Sequence, residues 1–240
     1  MTTELERCGS CAIRHQAVCG ALSDAELMGL NRIARTRKIP AGQTVMADRE
    51  PTDFFANIVS GAVKLSKVMP DGRQQIVGLL FPPDFLGRTY GTATPYYAEA
   101  ASDVELCSFP RNRFEKLLGE FPNLEHRLFE NTLNELDASR EWMLLLGRKT
   151  AQEKVASFLV MIASRARSIG CHSNPGLNFA RFEMPLSRAD TADYLGLTIE
   201  TVSRQITRLK AQGVIKLESS RGIVVPDIDE LTAIAHQERD

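Results

Sequence analysis

The chain has 240 residues, of which 43% are hydrophobic and 25% charged, and its formal net charge is −1. A chain of this length is expected to form two domains with sizeable cores. No apolar run approaches the ~20 residues that span a bilayer, and the N-terminus lacks the basic start and apolar stretch of a secretory signal. We therefore expect a cytoplasmic protein without a membrane partner, in which clustered cysteines indicate metal or redox chemistry.

Residues 1–22 form a cysteine-rich segment that contains three of the five cysteines. The CxxC spacing of Cys8 and Cys11 lets both sulfurs face one ion or cluster, and Cys19 adds a third soft ligand nearby. A fourth ligand is needed, and the candidates are Cys107, Cys171 and His15. The residues alone leave a structural zinc site and a [4Fe–4S] cluster equally open, because both accept four thiolates.

Residues 23–122 have the pattern of an antiparallel jelly roll or barrel. The β-rich runs Phe54–Val59, Ala62–Val68 and Gln75–Phe81 are separated by evenly spaced turns rich in Pro, Gly and Asp. A capping box at Ser23 predicts a short helix before these strands. We interpret this region as one antiparallel β domain.

A long helix is predicted over residues 123–147, and its apolar positions recur at heptad spacing. This pattern is typical of a seam through which two copies pair, although Ser139 and Arg140 interrupt it. The alternative is an amphipathic helix packed on its own domain. A hinge is predicted at 147–149. The candidate dimerisation residues are Phe129, Leu133, Leu136, Met143 and Leu146.

The strongest pattern lies within residues 148–240, where two helices are joined by a glycine. Ser187 caps the first helix, Gly196 can adopt the left-handed turn conformation, and the second helix begins near Thr198. Apolar runs flanking Ser219-Ser220-Arg221-Gly222 predict a β-hairpin wing. The second helix should face inward through Val202, Ile206 and Leu209.

The outward face of this second helix has the chemistry of base recognition. Arginine can pair with guanine O6 and N7, and glutamate can accept from cytosine N4. From Glu200 to Gly222 there are five basic and two acidic residues, so the local charge is positive. A solvated charged face is the alternative, but the turn, the caps and the wing favour DNA binding. The candidate DNA-binding residues are Glu200, Thr201, Ser203, Arg204 and Arg208.

With these motifs the chain resembles the CRP/FNR superfamily, and within it the fumarate-and-nitrate-reduction (FNR) regulators, over nearly its full length. The Glu-x-x-Ser-Arg signature is the most specific of the shared motifs. The resemblance is carried by the cysteine cluster and by Pro40–Gln43, Ser60-Gly61, Phe85–Gly87, Leu144–Lys149 and Tyr194–Arg204.

This resemblance implies an α+β fold: an N-terminal antiparallel β-roll similar to cyclic-nucleotide-binding domains, a long dimerisation helix and a C-terminal winged helix-turn-helix. It implies a homodimeric transcription activator, not an enzyme, that reads a TTGAT-N4-ATCAA-like palindrome through Glu200, Ser203 and Arg204. It also favours [4Fe–4S] over zinc. The implied cluster ligands are Cys8, Cys11, Cys19 and Cys107.

The chain also departs from its best-known relatives. The gap from Cys11 to Cys19 is longer than in the enterobacterial form, and Ser139 stands at a seam position that is often acidic in FNR proteins. No arginine lies between Arg88 and Arg111, where cyclic-nucleotide relatives carry a phosphate ligand, so no cyclic nucleotide is expected. The turns at 71–73 and 60–61 are either RNA polymerase contacts, as the resemblance implies, or ordinary solvated turns.

These expectations combine into an oxygen-sensing hypothesis. Without oxygen, the cluster ties the N-terminal segment to the β-roll and favours helix pairing, so that two recognition helices meet one palindrome. A competing hypothesis is a regulator of the same fold with structural zinc or no metal. A third is an iron–sulfur enzyme or electron carrier, against which the sequence shows no catalytic dyad or nucleotide loop.

Overall fold

The computed structural model describes residues 8–168 and 178–236. The chain divides into two compact units, one ending at Ala138 and the other beginning at Ser139. This boundary falls inside one continuous helix, Pro122–Arg148. None of the described helices combines the length and the apolar character needed to cross a membrane.

The strands of the first unit form two antiparallel sheets that face each other. They are β1 (Arg35–Ile39), β2 (Thr44–Met46), β3 (Phe54–Ser60), β4 (Val63–Val68), β5 (Gln74–Leu80), β6 (Phe85–Leu86), β7 (Tyr97–Ala100) and β8 (Val104–Pro110). One sheet has the order β1-β8-β3-β6 and the other β2-β7-β4-β5. Alternate residues such as Ile58, Leu65 and Leu106 pack between them. The predicted antiparallel β-roll is thus confirmed.

A second apolar layer, which we call the outer core, joins three helices to residues of β3 and β8. The helices are α1 (Asp24–Ile33), α2 (Arg111–Glu120) and α3 (Pro122–Arg148). The ring centroid of Phe114 in α2 lies 5.4 Å from that of Phe55 in β3 and 5.2 Å from that of Phe109 in β8. The outer core consists of Val18, Leu22, Leu27, Leu30, Ile33, Ala34, Phe55, Phe109, Phe114, Leu118, Leu124 and Leu128.

The long helix α3 extends slightly beyond its predicted bounds. It starts at Pro122, which is suited to the first helical position because its missing N–H needs no partner there. The predicted hinge at 147–149 is wrong in part, because Gly147 and Arg148 remain helical and the Lys149 N–H still donates to the Leu145 carbonyl at 3.2 Å. Only Lys149 and Thr150 separate α3 from the next helix.

The candidate seam residues of α3 are mostly exposed. Phe129 is 59% exposed and Met143 63% exposed, and Leu133 and Leu136 are similarly open. Leu146 differs, because it is partly buried. These side chains therefore leave an apolar strip on α3 that residues 8–168 and 178–236 do not cover.

The second unit combines four further helices with a small sheet. Its elements are α4 (Ala151–Ser168), β9 (Ala180–Glu183), α5 (Arg188–Leu195), α6 (Ile199–Ala211), β10 (Lys216–Leu217), β11 (Gly222–Val225) and α7 (Ile228–His236). The predicted wing is present, and β9 adds a third strand in the order β10-β11-β9. The predicted inward residues Val202, Ile206 and Leu209 are all buried.

Candidate nucleic-acid interface and cysteine site

The turn between α5 and α6 is fixed by local sequence. Ser187 Oγ accepts from the Asp190 amide at 3.0 Å, and the Asp190 carboxylate accepts from the Ser187 amide at 3.4 Å. At the other end of α5, Gly196 adopts φ 61° and ψ 43°, a left-handed conformation that costs a residue with a side chain more. Thr198 then caps α6 by accepting from the Thr201 amide. These contacts form a helix-turn-helix.

Four of the five candidate DNA-binding side chains share the solvent face of α6. Glu200, Ser203, Arg204 and Arg208 are exposed, whereas Thr201 is partly buried. Arg204 Nη2 donates to Thr201 Oγ1 at 3.4 Å. Thr201 is thus placed to orient the guanidinium, while the other four remain open to a ligand.

Glu200 lies in the first turn of α6 as a carboxylate. Hydrogen bonds from its own backbone amide and from the Thr198 hydroxyl hold the pKa of Glu200 below its usual range. The side chain is therefore a hydrogen-bond acceptor at neutral pH and can take a proton donor such as the cytosine N4 amino group.

Arg188, at the start of α5, is a functional candidate that the sequence analysis missed. Its Nη1 atom is buried and has no hydrogen-bond partner among the described residues. Desolvation also lowers the pKa of Arg188 from its usual value. In a helix-turn-helix the first helix crosses the DNA backbone. Arg188 as a whole is only partly buried, so a cationic side chain at this helix start is suited to a phosphate oxygen.

An aromatic stack joins the end of α3 to the helix-turn-helix. The centroids of the Trp142 ring and the Tyr194 ring in α5 lie 4.1 Å apart, with 19° between the ring planes. The Phe158 ring of α4 packs against the same tyrosine in a T-shaped arrangement, with 5.6 Å between the ring centroids. Burial raises the pKa of Tyr194, so its hydroxyl stays protonated. The stack fixes α5, and with it the turn that carries α6, against α3 and α4.

The cysteine-rich segment folds onto the first unit through buried apolar residues. Ile13, Ala17, Val18 and Leu22 are all buried. Val18 and Leu22 belong to the outer core, together with residues of α1, β3 and β8. The segment from Cys8 to Leu22 is thereby anchored to the same layer that contains the α3 residues Leu124 and Leu128.

Three of the four candidate ligand thiols pack against the outer core. They are Cys8, Cys19 and Cys107, which come from the N-terminal segment and from β8. The Cys8 thiol donates to Asn31 Oδ1 at 3.3 Å, and the Cys19 thiol donates to the Arg14 carbonyl at 3.7 Å. All four thiols are reduced and partly buried. Of the other candidates, His15 is exposed and Cys171 lies outside the described residues.

The three N-terminal thiols are close enough to affect one another's ionisation. Burial and, to a smaller extent, the neighbouring Cys11 and Cys8 sulfurs together raise the pKa of the Cys19 thiol to about 11. Such mutual repulsion between thiolates is what a bound cation would relieve. Among the described residues, however, no three His, Cys, Asp or Glu side chains already stand as a set of metal ligands.

In metal-free protein we expect slow alkylation of Cys19. Iodoacetamide reacts with the thiolate, and the raised pKa leaves little thiolate at pH 8. The rate at Cys19 should be about ten- to a hundredfold lower in the folded chain than in the chain unfolded by guanidinium. Mass spectrometry of the modified peptide at timed intervals measures both rates. Equal alkylation rates of Cys19 in the folded and the unfolded chain would contradict a raised pKa for this thiol.

The donor set fits an iron–sulfur cluster as well as zinc. Four thiols with no carboxylate among them would make a soft site, and soft ligands select zinc or iron–sulfur centres over hard cations. The candidate ligands Cys8 and Cys11 lie on one short segment. Cys107 lies on β8, a strand that packs against the core. Binding would therefore connect the N-terminal segment covalently to the β-roll.

Comparison with known proteins relates both units to transcription regulators. A model of the Crp-like helix-turn-helix domain matches residues 153–234, and a model of the cyclic nucleotide-binding domain matches residues 36–121. A probable transcriptional activator of Rhizobium leguminosarum bv. viciae is 54% identical, over 93% of this chain and 91% of the relative.

Two further likenesses extend over most of the chain. The transcriptional activator protein FnrL of Cereibacter sphaeroides is 47% identical, over 99% of this chain and 95% of the relative. Among solved structures, FixK2 from Bradyrhizobium japonicum has a TM-score of 0.74 and 33% sequence identity, and the match covers 84% of this chain and 97% of that one.

Proposed function

Because the chain belongs to the CRP/FNR family of DNA-binding transcription regulators, we propose that it is an oxygen-sensing activator that works in the cytoplasm. In this proposal a [4Fe–4S] cluster is held by Cys8, Cys11, Cys19 and Cys107. The observation that supports it most is that Cys8, Cys19 and Cys107, from distant parts of the chain, all pack against the same apolar core. When bound, the cluster supplies an oxygen-labile link between segment and strand.

The outer core connects the proposed cluster site to the dimerisation helix α3. Leu124 and Leu128 of α3 are part of the outer core, and the exposed seam begins at the next residue, Phe129. Thiols held in place keep the N-terminal segment packed on this layer and so fix the start of α3. A coupling of about 1–3 kcal/mol would change dimer affinity roughly 5- to 150-fold.

Pairing of two α3 helices presents two copies of α6 to DNA. In a dimer the recognition helices lie about one helical turn apart, ~34 Å, and so match a palindrome. We propose that Glu200, Ser203 and Arg204 read each half-site of a TTGAT-N4-ATCAA-like sequence. Their exposure on one face of α6 supports this role. RNA polymerase is the further partner that an activator requires.

The proposal is tested on protein purified without oxygen. We expect a brown protein with about four iron atoms and four acid-labile sulfides per chain, and tight binding to a labelled palindromic duplex. Air should bleach the visible absorbance and weaken duplex binding together, while a scrambled duplex serves as the control. A colourless, zinc-loaded protein that binds DNA equally well before and after air would contradict oxygen sensing.

The phosphate role of Arg188 gives a second prediction. Arg188→Ala should weaken binding to the palindrome and to the scrambled duplex by similar factors, because a phosphate contact carries no sequence information. The slope of log K against log salt should fall by about one. Fluorescence anisotropy titrations at several salt concentrations measure this slope. Arg32→Ala, which changes an exposed arginine of the first unit, is the matched control and should leave the slope unchanged.

A further inference from the structure

We propose that the guanidinium of Arg14, held in place by Asp24, raises the reduction potential of the bound cluster and so slows its oxidation. The inference rests on the proposed function, because it concerns a cluster on the same four thiols. It is carried by the position of a largely shielded cation beside two of those thiols. Arg14 is not a ligand in this proposal, and it acts on the cluster through its charge.

Arg14 lies next to two of the four candidate ligands. Its backbone carbonyl accepts from the Cys19 thiol at 3.7 Å. Arg14 also lines a small cavity together with Cys8 and Asp24. Burial and the neighbouring sulfurs raise the pKa of the Cys19 thiol, whereas the Arg14 charge lowers it. The same charge would therefore act on a cluster bound at these thiols.

An ion pair with Asp24, in the first turn of α1, fixes the Arg14 side chain. Arg14 Nη2 donates to Asp24 Oδ1 at 2.6 Å. The exposed fraction is 23% for the Arg14 side chain and 89% for that of Asp24. Water therefore screens the carboxylate much more than the guanidinium. The effect of the pair on groups inside the protein is consequently that of a positive charge.

A positive charge near the cluster favours its reduced form. When molecular oxygen takes one electron from the cluster and leaves as superoxide, the site becomes less negative by one charge. The guanidinium stabilises the more negative, reduced form more strongly than the oxidised form. Net charge is among the properties that set the reduction potential of an iron–sulfur cluster. Arg14 should therefore make this electron transfer less favourable.

The test compares Arg14→Gln and Asp24→Asn with wild type after anoxic reconstitution with ferrous iron and sulfide. Arg14→Gln removes the cation, so the reduction potential should fall and the visible absorbance should bleach about fivefold faster in air. In Asp24→Asn the amide oxygen can still accept from Arg14, while the negative charge is lost. Its potential should rise and its bleaching should slow about twofold, a smaller effect because Asp24 is exposed.

The opposite directions separate an electrostatic role from a structural one. Both substitutions remove the same ion pair, so a purely structural role would lower the melting temperature of the metal-free protein in both variants. It would also speed bleaching in both and leave both potentials at the wild-type value. That result would overturn the inference. Arg14→Lys keeps the charge and should keep the potential of wild type, and a fall as large as in Arg14→Gln would equally overturn it.

Arg73→Gln is the matched control. It removes a 2.8 Å ion pair with Asp71 on the turn between β4 and β5, in the sheet that contains none of the candidate ligands. Potential and bleaching should stay at the wild-type values. A wild-type potential in Arg14→Gln would overturn the role of Arg14 while leaving the cluster intact. A wild-type protein that takes up no cluster would overturn the proposed function, and the inference with it.

Discussion

Replacement of Cys107 by serine is expected to abolish cluster retention. Serine keeps the size of the side chain but replaces the soft thiolate with a hydroxyl, which binds iron poorly. Protein purified without oxygen should then be nearly colourless and low in iron and acid-labile sulfide. Visible absorbance and iron analysis measure the loss. The melting temperature of the metal-free variant should remain close to that of wild type, because Cys107 is only partly buried.

Cys171→Ser is the control for this experiment. Cys171 lies in the polar stretch outside the described residues, and the ligand assignment gives it no role. The variant should retain colour, iron and sulfide at wild-type levels. If Cys171→Ser lost the cluster while Cys107→Ser kept it, the proposed ligand set would be wrong and the fourth ligand would come from the second unit.

Arg204→Ala is expected to cause the largest loss of DNA recognition. Arg204 is exposed on α6, and a bidentate arginine–guanine pair contributes about 1–3 kcal/mol of discrimination. Binding to the palindrome should therefore weaken by roughly 5- to 150-fold per half-site, and the preference over a duplex with the guanine replaced should disappear. Anisotropy titrations with both duplexes measure the two effects.

Arg204→Lys separates the charge of this residue from its shape. Lysine retains the positive charge but lacks the planar fork that contacts two guanine atoms at once. Sequence preference should fall while the dependence of binding on salt stays close to that of wild type. Full preference in Arg204→Lys would show that Arg204 contributes only charge, and would assign base reading to other residues of α6.

Features that depend only on residues close together in the sequence could be predicted directly. The capping box at Ser23, the left-handed turn at Gly196 and the inward side chains of α6 depend on residues within one or two helical turns, and the structure confirms them. The antiparallel roll followed from evenly spaced turn residues. The hinge prediction was wrong in part because Gly147 favours a break in isolation, whereas the helix ladder continues through it to Lys149.

Features that depend on pairing between distant segments could not be predicted. The position of Asn57 opposite Cys107 follows from the register of β3 and β8, which no local pattern reveals. The orphaned nitrogen of Arg188 likewise depends on what surrounds it in the folded unit. The cysteines could be identified in the sequence, but the packing of Cys8, Cys19 and Cys107 against the outer core depends on the folded layer.

The stack of Trp142 on Tyr194 has a practical consequence. Trp142 is the only tryptophan in the chain, so its emission arises from a single, known position. Indole fluorescence is sensitive to a neighbouring phenol ring and to water, and Trp142 touches the helix that leads into the DNA-reading turn. The intensity and wavelength of Trp142 fluorescence would therefore report a rearrangement of the helix-turn-helix without an added dye.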